Sequence, residues 1–265
     1  MDDASTQRLR IAIDGASSVS AVLCAPSGPV EPWAGYVFAH GAGAGMEHGF
    51  MTSFANGLAE RGIATLRYQF PYMEQGSKRP DTPKAAHAAV RAAVAQAVQL
   101  LPGLPLFAGG KSYGGRMTSQ AQALSPLPGV RGLVFVGFPL HPAGKPANER
   151  ARPLRSAHAP ERTARRLPYD RATHLFDVDR PMLFLQGTRD ELAALELLQP
   201  LLVRLGERAT LALFEDADHS FHVRARSCRS DAQTLEAMLD TMATWARARS
   251  DQPLKPSATA ALPGR

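Results

Sequence analysis

Short apolar runs alternate with helix-length segments along most of this 265-residue chain. The runs have the length and composition of β-strands, and they are Leu9–Ile13, Val19–Cys24, Gly35–Ala39, Ala64–Gln69, Leu104–Ala108, Gly132–Gly137, Met182–Gln186 and Thr210–Phe214. Strands that are separated by helices pair in parallel through right-handed crossovers. The pattern therefore predicts an α/β fold, a doubly wound and mostly parallel sheet with helices on both faces, opened by one antiparallel pair of strands.

The helical segments between these strands have recognisable ends. Thr82 and Pro83 form an N-cap followed by proline at the first helical position, and Pro102 stops the same helix after Leu101. The other helices are expected over Met51–Arg61, Gly114–Leu124, Ala193–Leu205 and Ser230–Ala248. We predict a single domain over residues 1–249, with an insertion at about 143–175, and a flexible tail over residues 250–265 in which serine, proline, alanine and glycine dominate.

A glycine-rich motif follows the fifth predicted strand. Gly110-Lys111-Ser112-Tyr113-Gly114 fits the pattern G-x-S-x-G and stands between that strand and a helix. In such a setting the serine occupies a strained position on a very tight turn, and glycines let the flanking backbones approach closely. The motif predicts that Ser112 is a catalytic nucleophile, whereas the same pattern without this context would equally fit a surface turn.

A serine hydroxyl is a weak nucleophile until a base removes its proton, so an acid and a histidine are expected further along the chain. Asp190 follows the strand Met182–Gln186, and His219 follows the strand Thr210–Phe214. Both should lie near Ser112, because the carboxyl ends of parallel strands share one edge of a sheet. We therefore predict the catalytic triad Ser112, Asp190 and His219.

The sequence also offers alternatives to this acid and this base. Asp190 would suit the N-cap of the helix that follows it, a role that is compatible with catalysis. His222 is a rival base that would need a different path of the loop. Asp216 and Asp218 are rival acids, but they stand too close to His219 in the sequence to orient its ring easily.

A tetrahedral intermediate also needs hydrogen-bond donors for its oxyanion. The backbone N–H of Tyr113, directly after the nucleophile, is one candidate, and the N–H of Ala42 in the glycine-rich loop His40–Gly45 is the other. This loop does not match a dinucleotide-binding turn, because it lacks the third glycine of G-x-G-x-x-G and a suitable acid on the next strand. We predict an oxyanion hole formed by Ala42 and Tyr113.

Candidate substrate-binding residues lie on the loops after the third and fourth strands. They are His40, Phe70, Tyr72 and Met73. For Phe70–Met73 the alternative is that they anchor their loop instead of contacting the substrate. Lys111, inside the G-x-S-x-G motif, is interpreted as a packing or surface residue.

Several segments are distinctive in combination, namely His40–Gly45, Arg67–Glu74, Gly109–Met117, Phe138–Pro142, Gln186–Asp190 and Asp218–Phe221. With them, residues 35–245 resemble a poorly characterised α/β-hydrolase family that includes bacterial dienelactone-hydrolase-like proteins and the hydrolase-like domain of an animal histone-acetyltransferase (NSL) complex subunit. The resemblance implies an α/β-hydrolase fold with Ser112, Asp190 and His219 as triad, and it implies little about the substrate. Dienelactone hydrolases themselves use a cysteine nucleophile, so serine at position 112 argues against that activity.

The sequence departs from this family after Phe138–Pro142, where about 20 extra arginine-rich residues precede the strand at Met182. Residues 145–171 hold eight lysines and arginines against three acids, so that most of the net charge of +6 lies there. In this fold the position commonly holds a cap over the active site. Two interpretations remain open: a solvated polar loop, or a small basic lid that favours acidic substrates by charge steering.

No cofactor and no metal are expected, because the sequence has no H-x-x-x-H, C-x-x-C or paired-carboxylate pattern. A membrane span would need a stretch of about 18 uninterrupted apolar residues, and none is present. The acidic N-terminus lacks the apolar segment of a secretory signal, and the two cysteines are too few for a disulfide framework. A cytoplasmic location is therefore expected.

The predicted partner is a small ester or thioester, cleaved through an acyl-enzyme intermediate. An amidase or peptidase would use the same triad, and a non-catalytic interaction module is the alternative from another class. Specific nucleic-acid binding is not expected, since no recognition motif accompanies the arginine-rich segment. The sequence leaves the oligomeric state open.

Overall fold

The computed structural model describes residues 4–15, 17–27, 31–141 and 171–250. These residues form one eight-stranded sheet with the strand order β1-β2-β4-β3-β5-β6-β7-β8. The strands are β1 Ser5–Ala12, β2 Ser18–Ala25, β3 Ala34–Ala39, β4 Ile63–Tyr68, β5 Leu106–Lys111, β6 Val130–Val136, β7 Met182–Gly187 and β8 Ala209–Phe214. The first two strands are antiparallel to each other, β2 is antiparallel to β4, and the remaining pairs are parallel. The predicted mostly parallel α/β sheet is confirmed.

Helices cover both faces of the sheet. They are α1 Gly49–Glu60, α2 Pro71–Glu74, α3 Pro83–Leu100, α4 Tyr113–Leu124, α5 Leu195–Leu205 and α6 Asp231–Ser250. One face packs against α1 and α6, and the opposite face packs against α3, α4 and α5. Short 3-10 helices at Thr173–Asp177 and Gly206–Arg208, and the single turn α2, were not predicted because they lack a full amphipathic period.

The central strands carry the core on both of their faces. Every residue of β3, β4 and β7 is buried. Side chains alternate between the two faces, so that Phe38 and Phe107 pack toward α1 and α6 while Val37 and Ala108 pack toward α3 and α4. This burial explains the continuous apolar runs in the sequence and holds the carboxyl ends of the central strands in fixed positions.

Strand β5 extends further than the sequence predicted. We expected it to end at Ala108, but Gly109, Gly110 and Lys111 continue the pairing with β6, opposite Val134, Phe135 and Val136. A Cβ on Gly109 would lie 1.8 Å from the carbonyl oxygen of Val134. Glycine is therefore required there for the close approach of two strands, and only the residues that follow form the turn.

Two parts of the predicted organisation lie outside the described residues. Residues 142–170 contain most of the arginine-rich insertion, and residues 251–265 contain nearly all of the predicted tail. The assignment of residues 1–249 to a single domain therefore remains a prediction. The same holds for the two interpretations of the insertion, a basic lid or a solvated polar loop. Among the described residues, no helix is long and apolar enough to cross a membrane.

Candidate active site

Ser112 lies at the junction between β5 and α4, on a strained backbone. Its φ of 50° and ψ of −112° place it in a region that residues with a side chain rarely adopt, at a cost of about 1–3 kcal/mol. Its N–H donates to the carbonyl of Val136 on the neighbouring strand, at 3.0 Å. The geometry sets the residue at the positive end of the α4 dipole, which favours negative charge beside it.

Close packing between α4 and β3 makes this turn possible. A Cβ on Gly114 would lie 2.5 Å from the carbonyl oxygen of Ala39. The helix therefore approaches the end of β3 at backbone contact distance, which a larger residue would prevent. As a result Ser112 emerges beside the loop that follows β3.

Asp190 and His219 are hydrogen-bonded at the same edge of the sheet. The Oδ2 of Asp190 lies 2.7 Å from Nδ1 of His219. The carboxylate is fully inaccessible to solvent, whereas the imidazole retains 24% of its exposure. Gln186 also donates to Oδ2 of Asp190, and the N–H of Leu192 donates to its Oδ1 at 2.8 Å. The buried carboxylate is thus satisfied by three donors and held in one orientation.

The alternatives that the sequence left open have other partners. Helix α5 begins at Leu195 with Ala194 as its N-cap, so Asp190 does not cap it. The rival base His222 is bonded to Asp231 at 2.7 Å, on the exposed side of the loop. The rival acid Asp218 accepts the N–H groups of Ser220 and His222 and so shapes the turn that carries His219.

A cavity of about 680 Å³ opens at this edge, and both Ser112 and His219 line it. This volume is in the range of small-molecule sites, which are typically about 300–1,000 Å³. Apolar side chains form most of its wall, including Ala42, Ala44, Phe50, Met51, Leu192, Phe221 and Leu235. The cavity therefore suits a small, largely apolar molecule.

Gly137, just past the end of β6, leaves room for the imidazole of His219. Its φ is +68°, and an added Cβ would lie 3.3 Å from Cε1 and from Nδ1 of that ring. Both the backbone conformation and the space favour glycine here. The ring therefore rests directly on the backbone at the end of β6.

The loop after β3 is held by two side chains. His40 is buried; its Nε2 accepts the N–H of Phe70 at 3.0 Å, so Nδ1 carries the proton and donates to the carbonyl of Gly41 at 2.7 Å. Burial lowers the pKa of His40 to about 4, so it is neutral at pH 7. The hydroxyl of Tyr72 donates to the carbonyl of Ala42 at 2.9 Å.

These two bonds orient the peptide groups around Ala42. The described peptide bonds are trans, and the C=O and N–H of a trans peptide point in opposite directions in one plane. Holding the carbonyl of Gly41 therefore also fixes the direction of the N–H of Ala42. Gly41 lies against the nucleophile, since a Cβ on it would be 3.9 Å from Cβ of Ser112.

None of the four candidate substrate-binding residues is among the residues that line the cavity. His40 and Phe70 are fully buried, Tyr72 is 2% exposed, and Met73 packs against the core. His40 is the first residue of the loop that carries Ala42, and His40 and Tyr72 both bond to the backbone of that loop. Through its bond to Ala42, Tyr72 holds this loop, which is the role that the sequence offered as the alternative for Phe70–Met73.

Two polar residues at the site were not predicted as functional. Gln186 joins Asp190 to the backbone N–H of Phe138, which its Oε1 accepts at 3.0 Å. Lys111 lines the cavity and donates to the carbonyl of His219. A glutamine near the end of an otherwise apolar buried strand was the available signal for Gln186, because a buried amide requires hydrogen-bond partners.

Among the residues that the structure describes, no group of three or more histidine, cysteine, aspartate or glutamate side chains is placed to hold a metal ion.

Comparison with known proteins relates this chain to one family and one fold. The family described as "Alpha/beta hydrolase domain" matches residues 33–165 and 158–247. The crystal structure of a dienelactone hydrolase from Anabaena variabilis superposes with a TM-score of 0.68 at 18% identity, covering 94% of this chain and 99% of that chain.

Two further solved structures share the fold. An α/β serine hydrolase from Xanthomonas campestris, described as having no lid, gives a TM-score of 0.66 at 18% identity over 96% of this chain and 98% of its own. The esterase domain of a Rhodothermus marinus protein gives 0.65 at 17% identity over 92% and 98%. At these identities the likeness establishes the fold.

Proposed function

Because this chain belongs to the α/β-hydrolase domain family, we propose that it is a serine hydrolase that cleaves a small carboxylic ester or thioester. One observation carries this proposal. Asp190 is hydrogen-bonded to His219 at 2.7 Å, and His219 lines the same cavity as Ser112 on its strained turn. A nucleophile, a base and a group that orients the base are the parts that acyl transfer requires.

In this proposal Ser112 is the nucleophile. Its hydroxyl oxygen attacks the acyl carbon while Nε2 of His219 accepts the hydroxyl proton. His219 then donates that proton to the leaving alcohol or thiol, and an acyl-enzyme remains. In the second half water attacks the acyl carbon while His219 accepts a proton from it, and His219 then returns that proton to the Ser112 oxygen as the carboxylic acid is released. Asp190 keeps the Nδ1–H tautomer and stabilises the imidazolium that forms in each half.

The oxyanion would be held by two backbone N–H groups. Tyr113 is the first residue of α4, so its N–H has no acceptor within the helix. Ala42 lines the cavity, and the bond from His40 to the carbonyl of Gly41 fixes the direction of its N–H. Donors that are oriented before the reaction stabilise the developing charge without reorganisation, and each is worth about 3–4 kcal/mol in known hydrolases.

The cavity restricts the substrates that this machinery would accept. Its wall is mostly apolar, and Phe50, Leu192 and Phe221 are among the larger contributors. An acyl or alcohol group of modest size and low polarity would be desolvated there at a gain of about 25 cal/mol per Å² of apolar area. We therefore propose an uncharged short-chain ester or thioester as the substrate class.

A fluorophosphonate probe tests this function directly, because it labels an activated serine covalently. We expect wild-type protein to be labelled and Ser112→Ala to be silent. Ser53→Ala is the matched control, since Ser53 lines the same cavity and this variant should label like the wild type. A wild-type protein that does not label would favour a non-catalytic interaction module, and labelling of Ser112→Ala would identify another nucleophile.

A second measurement separates the bond types. Hydrolysis of p-nitrophenyl esters with acyl chains of increasing length should be fastest for short chains, and matched thioesters should also be cleaved. The corresponding p-nitroanilides, which are amides, should react far more slowly. Faster cleavage of the amides would instead assign an amidase or peptidase.

A further inference from the structure

Lys111 connects the strand of the nucleophile with the backbone of the predicted base. It is the last residue of β5 and directly precedes Ser112. Its Nζ donates to the carbonyl oxygen of His219, which lies 108 positions further along the chain. The bond therefore ties the backbone of His219 to the strand that ends next to Ser112.

The ammonium group of Lys111 lies in an aromatic environment. Its Nζ is 5.4 Å from the ring centroid of Phe50 and 5.1 Å from that of Phe221. These two rings stack on each other with centroids 6.0 Å apart and an interplanar angle of 18°. Ring faces attract a cation, so the two rings and the carbonyl together hold the charged group at one point.

No salt bridge is found for this cation within the part of the chain that the structure describes. A largely buried charge without an ion pair costs free energy, so an ammonium group is an unfavourable choice for packing alone. A Cβ at Gly137 would lie 3.4 Å from Nζ and 3.3 Å from the His219 ring, so one glycine supports both groups.

We propose that Lys111 is a positioning residue, whose ammonium holds the carbonyl of His219 and thereby sets the distance between the imidazole and the Ser112 hydroxyl. The catalytic consequence of this inference rests on the proposed hydrolase function. The hydrogen bond from the Lys111 ammonium to the His219 carbonyl, which we call the clamp, does not depend on that function. Errors of about 1 Å in such distances reduce rates by about a hundredfold.

The surroundings of Lys111 set its pKa and therefore the pH at which its ammonium group loses its charge. Burial lowers the pKa of Lys111 to about 8, and the carboxylates of Asp190, after β7, and Asp218, in the loop of His219, oppose that decrease. His222, on the same loop, has its pKa lowered by Lys111, although its own partner Asp231 raises it overall. The clamp is therefore charged at pH 7 and loses its charge above about pH 8, which weakens its hydrogen bond.

Hydrogen exchange tests the clamp without relying on activity. In Lys111→Met the backbone amides of residues 216–222 should exchange about tenfold faster than in the wild type at pH 7, because the loop opens locally. Lys111→Arg keeps a charged donor and should restore most of the protection. Lys84→Met, at an exposed position on α3, is the control that should change nothing in this loop. Equal protection in Lys111→Met and wild type would overturn the proposal.

Kinetics then test the catalytic consequence on a p-nitrophenyl ester. Lys111→Met should lower kcat about 10- to 100-fold with KM changed less than about threefold, since the bond to the His219 carbonyl acts on the distance between base and nucleophile and not on substrate binding. Wild-type activity should fall on the alkaline side with a midpoint near pH 8, and Lys111→Arg should lack that decrease because guanidinium stays charged. An unchanged kcat in Lys111→Met, or the same alkaline decrease in Lys111→Arg, would refute the role.

The two proposals fail in different ways. If wild-type protein does not react with the fluorophosphonate probe, the hydrolase function is wrong, and the exchange experiment still decides whether Lys111 holds the loop. If the probe labels the wild type while exchange and kcat are insensitive to position 111, only the clamp is wrong. Should Lys111→Met not fold, Lys111→Gln replaces it in both measurements.

Discussion

The carboxylate of Asp190 and the imidazole of His219 share a 2.7 Å hydrogen bond although they stand 29 positions apart in the chain. The sheet brings them together, because β7 and β8 are parallel neighbours whose last residues, Gly187 and Phe214, are paired. Each residue follows the carboxyl end of its strand within a few positions. The acid and the base thus meet as a direct consequence of strand order.

Replacing Asp190 by asparagine should abolish most activity and leave the fold intact. The amide keeps the shape of the carboxylate, but it no longer provides a charge for the imidazolium and can hold the wrong tautomer of His219. We expect kcat to fall about 10³- to 10⁴-fold with little change in KM. Steady-state kinetics on an activated ester, together with circular dichroism, measure both effects.

Asp231→Asn is the matched control for that variant. Asp231 bonds to His222 at 2.7 Å and lines the same cavity, so the chemical change and the type of partner are alike. Its side chain is 52% exposed, and we expect kcat to change less than about threefold. A larger loss in Asp231→Asn than in Asp190→Asn would mean that His222 is the base.

Acid should destabilise the protein through His40. Its folded pKa of about 4 lies below the ordinary value of 6.5, so the unfolded state binds more protons between these values. Stability is therefore fully present above about pH 6.5 and is lost as the pH falls toward 4. Between pH 7 and pH 5 this one group should remove about 2 kcal/mol.

The comparison of wild type with His40→Asn isolates this contribution. Urea unfolding at pH 7 and pH 5 should show the wild type losing about 2 kcal/mol more than the variant, because asparagine does not titrate. His174 is also buried with a pKa of about 4, but it contributes equally to both proteins. Identical pH dependence in the two proteins would show that His40 is not held neutral in the fold.

Tyr72→Phe should affect catalysis more than stability. The variant loses only the hydroxyl that holds the carbonyl of Ala42 at 2.9 Å. We expect about 1 kcal/mol of lost stability and a decrease of kcat of about five- to tenfold, because the loop with the predicted oxyanion donor is less fixed. Tyr36→Phe is the control, since the hydroxyl of Tyr36 donates to a carbonyl at 3.0 Å in the core away from the cavity. A similar loss of kcat in both variants would contradict the role of Tyr72.

The main parts of the fold follow from local pattern and strand order. Buried strands such as β3, Ala34–Ala39, appear in the sequence as apolar runs, and the residues that the sequence singled out lie at or just after the carboxyl ends of β5, β7 and β8. The sheet places the ends of β7 and β8 side by side, with the end of β5 two strands away from β7, so the proximity of Asp190 and His219 was predictable from strand order.

Other features depend on contacts between distant segments. Lys111 looks like an ordinary polar residue of a turn, and only the position of the His219 carbonyl gives it a partner. His40 and Tyr72 stand on loops where either substrate or backbone would be a suitable partner, and the orientation of the loops decides between them. Side-chain partners of this kind are set by tertiary packing, which periodicity does not encode.

Gly137→Ala should reduce activity as well as stability. The new Cβ would lie 3.3 Å from the His219 ring, which would have to shift by a few tenths of an ångström, and the φ of +68° adds backbone strain. Gly206→Ala is the matched control, because Gly206 also has a positive φ, of +62°, and an added Cβ there would meet nothing within 4 Å. We expect both variants to lose about 1–2 kcal/mol of stability, and only Gly137→Ala to lose kcat, by about three- to tenfold. Equal kinetics in the two variants would show that the ring tolerates displacement.

Lys111→Met should make the protein less active and more stable at pH 7. The pKa of Lys111 falls from 10.5 to about 8 on folding, so the unfolded state binds more protons between these values. Burying the ammonium therefore opposes folding fully below pH 8, by about 3 kcal/mol, and this cost disappears as the pH rises toward 10.5. Methionine removes the cost but also loses a hydrogen bond and two ring contacts worth about 1–2 kcal/mol, which leaves a net gain of about 1–2 kcal/mol.

Urea unfolding of both proteins at pH 7 and pH 10 measures this gain. The advantage of Lys111→Met should be present at pH 7 and should shrink at pH 10, where the wild-type lysine is largely neutral in the folded state. If Lys111 contributed only packing, Lys111→Met would instead be less stable than the wild type at both pH values. A gain of stability in Lys111→Met together with a loss of activity would show that Lys111 serves catalysis at the expense of stability, as residues of functional sites often do.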